Sequence, residues 1–127
     1  KMMREEGLDN IFLRHNKHKL AMSNAVKALN LKLFANEKYL SPSITAIQTE
    51  GMDAEEFRKT IKNNFDILLA GGQDHLKGKI FRVGHLGYVN DRDIITVISA
   101  ISNTLLDLGK ITAQQAGEAL VVASKHL

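Results

Sequence analysis

An apolar stripe near the C-terminal end limits the possible folds more strongly than any other part of the chain. Its members recur at spacings of four, three, four and three residues: Ile94, Ile98, Ile101, Leu105 and Leu108. This spacing places all of them on one side of an α-helix, which must bury that side against another element. Asn90 and Gly109 are residue types that begin and end helices. The sequence therefore predicts a core-facing helix between these two positions.

Three further segments have the pattern of amphipathic helices. The first is a long helix over residues 5–29. The second begins at Asp53, and Glu56 three residues later completes the pattern of a capping box. The last opens at Thr112, with Gln115 in the corresponding position. Each helix should contribute one apolar side to a shared core.

Four short segments between the helices have strand character, because they are alternating or rich in β-branched residues and bounded by turn formers. They are residues 31–34, 43–49, 66–70 and 79–83. The predicted order is α-β-β-α-β-β-α-α. Strands this short pair mostly antiparallel, with amphipathic helices covering one face of the sheet. We therefore expect an α+β fold: a small, mostly antiparallel sheet with helices packed on one face, forming a single domain over residues 1–127.

Composition excludes several classes of protein. No apolar run approaches the length of a membrane span, and the start of the chain has no signal-peptide pattern. The chain has no cysteine, which fits a cytoplasmic location. The net charge is +3, and the excess of positive residues lies on the first helix and the strand after it. The positive residues there are Arg4, Arg14, Lys17, Lys19 and Lys27. Because acidic residues are mixed with them and no aromatic platform accompanies them, a solvated helix face is favoured over a nucleic-acid site.

Arg82 is the most informative candidate for chemistry. Strand alternation sends Phe81 and Val83 to the core side and Arg82 to the opposite face. A guanidinium on a rigid strand, beside glycine-rich segments, suits bidentate capture of a carboxylate. The residue types alone leave a second possibility open, and it is the more frequent one: a strand arginine that pairs with a local acid or is solvated.

Other candidate sites receive less support. His15 and His18 are three residues apart on the first helix and could face one metal ion, but a half-buried, hydrogen-bonded His15 is favoured because nothing obvious completes a ligand set. The glycines at 71–72 and 84–87 match no phosphate-loop spacing, so turns with positive φ explain them more simply. Lys125 follows a serine, yet at the end of the last helix it is expected to be solvated rather than a Schiff-base lysine.

Residues 71–88, which read GGQDHLKGKIFRVGHLGY, closely resemble the C-terminal signature of alanine–glyoxylate and serine–pyruvate aminotransferases. These are class V aminotransferases of fold type I. Further segments match in the family's order: residues 6–10, 14–15, 51–53 and 90–92. The resemblance covers nearly the whole chain, and its central motif is long and ungapped.

The resemblance implies that the chain is the C-terminal small domain of a longer enzyme, with residues 1–30 leading in from a large domain. In that family the large domain holds pyridoxal phosphate through a lysine, and the enzyme is a homodimer. The arginine that matches Arg82 binds the α-carboxylate of small amino acids and 2-oxo acids, such as alanine, serine, glyoxylate and pyruvate. Residues 71–72 and Gly84 would shape the pocket. The segment alone would bind no cofactor and be inactive.

Two other interpretations accompany this one. Some proteins of this resemblance carry the name soluble hydrogenase small subunit, but hydrogenase metal sites depend on cysteine thiolates, so we expect no hydrogen chemistry from this segment. The alternative function is a stand-alone α+β module that senses an amino acid. Such a module would need no distant lysine.

Overall fold

The computed structural model describes residues 8–34, 44–49, 51–72, 74–84 and 90–127. Its helices are α1 (Leu8–Ala28), α2 (Ala54–Phe65), α3 (Asp91–Asp107) and α4 (Ala113–Ser124). Its strands are β1 (Lys32–Leu33), β2 (Ile44–Gln48), β3 (Ala70–Gly71) and β4 (Ile80–Gly84). A 3₁₀ turn, Asp74–Leu76, lies between β3 and β4. The predicted order of helices and strands is confirmed.

The strands form one antiparallel sheet in the order β1-β2-β4-β3. This confirms the predicted α+β class. The prediction of a strand over residues 66–70 is largely wrong, because β3 forms only at Ala70–Gly71. Asp66 has a φ of 56° and closes α2 in the left-handed conformation, so the chain must turn before it can join the sheet.

All four helices lie on one side of the sheet, as the amphipathic patterns predicted: α1 and α2 contact the strands, and α3 and α4 pack on these helices. Phe81 and Val83 of β4 and Ile47 of β2 form the sheet's side of the main core. The ring centroids of Phe57 and Phe81 are 5.2 Å apart, which ties α2 to the central strand. The apolar stripe of α3 is buried through Leu105.

The ends of the helices follow their caps, with two corrections. Leu108, predicted as part of the stripe, is 53% exposed because it is the C-terminal cap before Gly109, whose φ is 72°. Asp53 accepts its hydrogen bond from the backbone of Glu55 at 2.9 Å, and not from Glu56 as the predicted capping box requires. The predicted starts of α3 and α4 have complete capping boxes.

The opposite face of the sheet carries a small apolar cluster of its own. Ala46 and Ile80 are buried there, with Phe34 and Leu76 packed against them. Within the described parts of the chain, no helix is long and apolar enough to cross a membrane.

Candidate functional site

Strand β4 positions Arg82 on the face of the sheet away from the helices. Its neighbours along the strand, Phe81 and Val83, are buried in the main core. The alternation predicted for this strand is therefore confirmed. Arg82 itself is half-buried beside the small apolar cluster of that face.

The two residues directly across from Arg82 are both alanines. Ala46 on β2 and Ala70 on β3 are its partners in the sheet register. Directly opposed side chains on one face of a sheet are close neighbours. Ala46 is buried in the small apolar cluster, whereas Ala70 is exposed, so the side toward β3 is the exposed side of Arg82.

The backbone carbonyl of Gly71 orients the guanidinium. Arg82 Nε donates to Gly71 O at 2.9 Å. A bond at Nε fixes the plane of the group and directs the edge formed by its two terminal nitrogens. That edge matches the two oxygens of a carboxylate.

The adjacent glycines of this region are required for close packing and not for unusual backbone angles. The prediction of positive φ is wrong at Gly71 and Gly72, because neither residue has a left-handed φ. A Cβ added at Gly71 would lie 2.6 Å from Glu55 Oε2 and 2.9 Å from Arg58 Nη2. At Gly72 it would collide with the backbone carbonyl of Leu76. The same prediction for the glycine-containing segment 85–87 lies outside the described residues.

Sequence reasoning missed an ion pair on α2 that packs against Gly71. Arg58 donates from Nη2 to Glu55 Oε1 at 2.6 Å and from Nε to Glu55 Oε2 at 3.2 Å. It also donates from Nη1 to the carbonyl of Leu69 at 2.6 Å. The hydrogen bond from Arg58 is the main cause that lowers the pKa of the Glu55 carboxyl. The i, i+3 spacing indicated that the pair could form, but not that it would cover β3.

The histidines do not form a metal centre within the described residues, where no group of three potential ligands comes together. His18 is fully buried, and its Nε2 lies 3.0 Å from Asp91 Oδ1. This contact was not predicted, since Asp91 is distant in sequence. Lys17 Nζ also donates to Asp91, at 3.2 Å. The side chain of His15 lies outside the described residues.

The Asp91 carboxylate is stabilised by these two partners. Burial raises its pKa, but the hydrogen bonds and charges of His18 and Lys17 outweigh that effect, and the pKa is lowered. Of the positive residues predicted on α1, Lys17 is therefore engaged within the fold. Lys19 is half-buried, and burial lowers the pKa of its ammonium. Lys125 is exposed at the end of α4, as predicted.

The groups around Arg82 fit a carboxylate better than a carbonyl cofactor. A guanidinium and a backbone carbonyl can bind and orient an acid, whereas attachment of an aldehyde cofactor as an imine requires an amine. The described residues that form the site, Arg82 with Gly71, Ala46 and Ala70, supply none. This arrangement can hold an anion in a defined direction, and any covalent chemistry would need groups from elsewhere.

Two cavities in the described part of the chain lie apart from Arg82. One of about 250 Å³ is lined by residues at the end of α1, by β1 and β2, and by Leu105 and Lys110. Another of about 370 Å³ lies between α2 and the residues before β3 and includes Arg58 and Lys77. Arg82 lines neither of them.

Comparison with known proteins supplies relatives of two kinds. A soluble hydrogenase 42 kDa subunit from Anabaena cylindrica is 56% identical over 108 residues, which are 85% of this chain and 28% of that protein. Serine–glyoxylate aminotransferase from Methylorubrum extorquens is 34% identical over 126 residues, 97% of this chain and 31% of that protein. The chain thus spans about a third of the length of the curated relatives it matches. No family model matches it.

A solved structure has the same fold. Ureidoglycine–glyoxylate aminotransferase from Bacillus subtilis superimposes with a TM-score of 0.87 at 30% identity. The match covers 98% of this chain and 33% of that one. The helices and the four-stranded sheet described above are therefore those of a known C-terminal domain.

Proposed function

We propose that this chain is the substrate-carboxylate-binding domain of an aminotransferase. Its homologues are class V aminotransferases and proteins named soluble hydrogenase small subunit, and it matches their small C-terminal part. The substrates would be small amino acids such as alanine or serine and small 2-oxo acids such as glyoxylate or pyruvate. Arg82 would bind the carboxylate. The observation that carries the proposal is the geometry of Arg82, which is oriented by Gly71 O and flanked by Ala46 and Ala70.

The proposed role of this chain is to bind and orient. A carboxylate held by both terminal nitrogens of Arg82 fixes the direction of the bond to Cα, and with it the reacting centre. The half-buried setting strengthens the charge-assisted bonds relative to water. Pyridoxal phosphate would supply the electron sink and would be held by a large domain of the same polypeptide. That large domain, and a second subunit in a homodimer, would complete the site on the Arg82 face of the sheet.

The relatives named soluble hydrogenase do not change this proposal. Their identity to the chain is high, and the Nε bond of Arg82 to Gly71 O supports the carboxylate-binding role in them as well. Transamination of a small amino acid is the activity to measure first.

Substitution of Arg82 in the full-length enzyme tests the proposal. Arg82→Ala removes a bidentate charged partner, which costs about 2 to 5 kcal/mol. The kcat/KM for L-alanine should therefore fall by between about one and four orders of magnitude. Arg82→Lys keeps the charge but not the fork and should lie between the two.

Ethylamine, which is alanine without its carboxylate, provides the matched control. Both enzymes should react with it at similar rates, because it offers Arg82 nothing to bind. A value of kcat/KM for L-alanine within about threefold of wild type in Arg82→Ala would mean that the carboxylate is bound elsewhere. The sensor alternative is tested by the upstream reading frame, which for a stand-alone module would not encode a cofactor-binding domain.

A further inference from the structure

The edge strand β3 is held by two arginines. Arg82 binds the carbonyl of Gly71 at 2.9 Å, and Arg58 of α2 binds the carbonyl of Leu69 at 2.6 Å. The strand itself has two residues and, among the described strands, is bonded only to β4. Few backbone bonds therefore fix its position, so the buried side chain of Leu69 and the contact of Arg58 with the Leu69 carbonyl help to hold it.

Arg58 is itself held firmly. Its two bonds to Glu55, at 2.6 and 3.2 Å, form a fork within one helix turn. The side chains of the pair are 25% and 28% exposed, so solvent screens them less than a surface pair. Glu55 also lies in the first turn of α2, where the helix dipole favours a negative charge. A fork anchored in this way presents Nη1 to Leu69 O in a defined position.

The same pair is in direct contact with Gly71. The space of a Cβ at this residue is filled by Glu55 Oε2 and Arg58 Nη2, at 2.6 and 2.9 Å. The ion pair therefore covers the residue whose carbonyl orients Arg82. Displacement of the pair would free β3 to shift, and the Nε bond of Arg82 would shift with it.

We propose that Arg58 is a positioning residue for substrate recognition: by binding the Leu69 carbonyl and covering Gly71, it sets the direction of the Arg82 guanidinium. This inference rests on the proposed carboxylate-binding role of Arg82. Arg58 would not touch the substrate. Its effect would be confined to substrates that carry the carboxylate.

The test uses the full-length enzyme and three variants. In Arg58→Met the KM for L-alanine should rise about tenfold, since a small misplacement of a binding group weakens a directional contact. The kcat/KM for ethylamine should stay within about twofold of wild type. Arg58→Lys can bond one acceptor but cannot form the fork, so its KM should be intermediate.

The matched control is Lys62→Met. Lys62 forms an exposed ion pair with Asp66 on the same helix and makes no described contact with β3. Its loss removes the same charge from α2 and should leave both substrates unaffected. If Arg58→Met does not fold, Arg58→Lys and Glu55→Gln measure the same effect through the partial loss of the fork.

Coupling between the two arginines separates this inference from the proposed function. If Arg58 acts through Arg82, then adding Arg58→Met to Arg82→Ala should change the KM for L-alanine by less than about twofold. Full additivity, or an equal loss for L-alanine and ethylamine, would overturn the positioning role. A strong effect of Arg82→Ala with none of Arg58→Met would overturn it and leave the proposed function intact. No effect of Arg82→Ala would overturn both.

Discussion

Two adjacent glycines differ in what a side chain would meet. At Gly71 an added methyl group meets the ends of two flexible side chains, Glu55 and Arg58. At Gly72 it meets the backbone carbonyl of Leu76, which cannot swing aside. The backbone at these two glycines is therefore closely packed. The loss of stability caused by an added side chain should depend on how readily the neighbouring group can move.

We therefore expect Gly72→Ala to lower the free energy of unfolding by about 1 to 3 kcal/mol, as overpacking usually does, and Gly71→Ala by less. Gly117 is the control, because it is exposed in α4 and nothing lies within 4 Å of the position of its Cβ. Gly117→Ala should stabilise the protein by about 0.5 to 1 kcal/mol. Urea unfolding of the three variants measures the order. Equal stabilities for Gly71→Ala and Gly72→Ala would contradict this packing.

Single residues also show what the sequence could and could not predict. The face occupied by Arg82 follows from alternation along one strand and was predicted. Its neighbours Ala46 and Ala70 depend on the register between strands that are far apart in sequence, which alternation within a strand does not determine. The carbonyl of Gly71 carries no sequence signal at all.

Between elements, a polar contact joins α1 to the start of α3. His18 is buried in α1 and reaches Asp91 in the first turn of α3, where the helix dipole also favours the carboxylate. Lys17 adds a second bond to the same group. The long helix is thereby fixed to the helix that follows β4.

Asp91→Asn should lower the stability by about 0.5 to 1 kcal/mol near neutral pH, a modest effect because Asp91 is half-exposed. The folded-state pKa of Asp91 is lowered, so its contribution is complete above the ordinary value of about 3.9 and is lost as the pH falls through the folded-state value. Unfolding measured from pH 7 to pH 3 should show a constant difference that shrinks below about pH 4. A difference that grows on acidification would contradict the assignment.

The helices were more predictable than the strands for a physical reason. Capping residues and apolar spacing are local, so the starts of α3 and α4 and the Gly109 stop could be predicted from a few neighbouring residues. Strand β3 depends on where α2 ends and on the contact of Arg58 with Leu69, both of which arise only in the folded chain. Short apolar segments therefore mark strands without fixing their ends.

For the molecule as a whole, this chain would perform one part of the work of a larger enzyme. It spans about a third of the length of its curated relatives, and its proposed part is to bind the substrate's carboxylate through Arg82. The lysine that attaches the cofactor, the cofactor's phosphate site and the second wall of the pocket would come from the rest of the enzyme.

The isolated chain should therefore form no specific covalent adduct with pyridoxal phosphate. Borohydride reduction followed by peptide mapping should show weak labelling spread over several lysines. Lys19 is the residue to inspect first, since burial lowers its pKa and so favours the reactive amine. Stoichiometric labelling of one lysine, together with transamination by the chain alone, would show that the chain itself attaches the cofactor, contrary to the proposal.

A crystal structure of the full-length enzyme with a bound small amino acid or an unreactive analogue tests the proposed role of Arg82 directly. Both carboxylate oxygens should lie within hydrogen-bond distance of the terminal nitrogens of Arg82, about 2.7 to 2.9 Å, with the Nε bond to Gly71 O retained. The substrate should lie on the side of Arg82 toward the exposed Ala70. A carboxylate bound to other groups, with Arg82 turned toward protein acids alone, would contradict it.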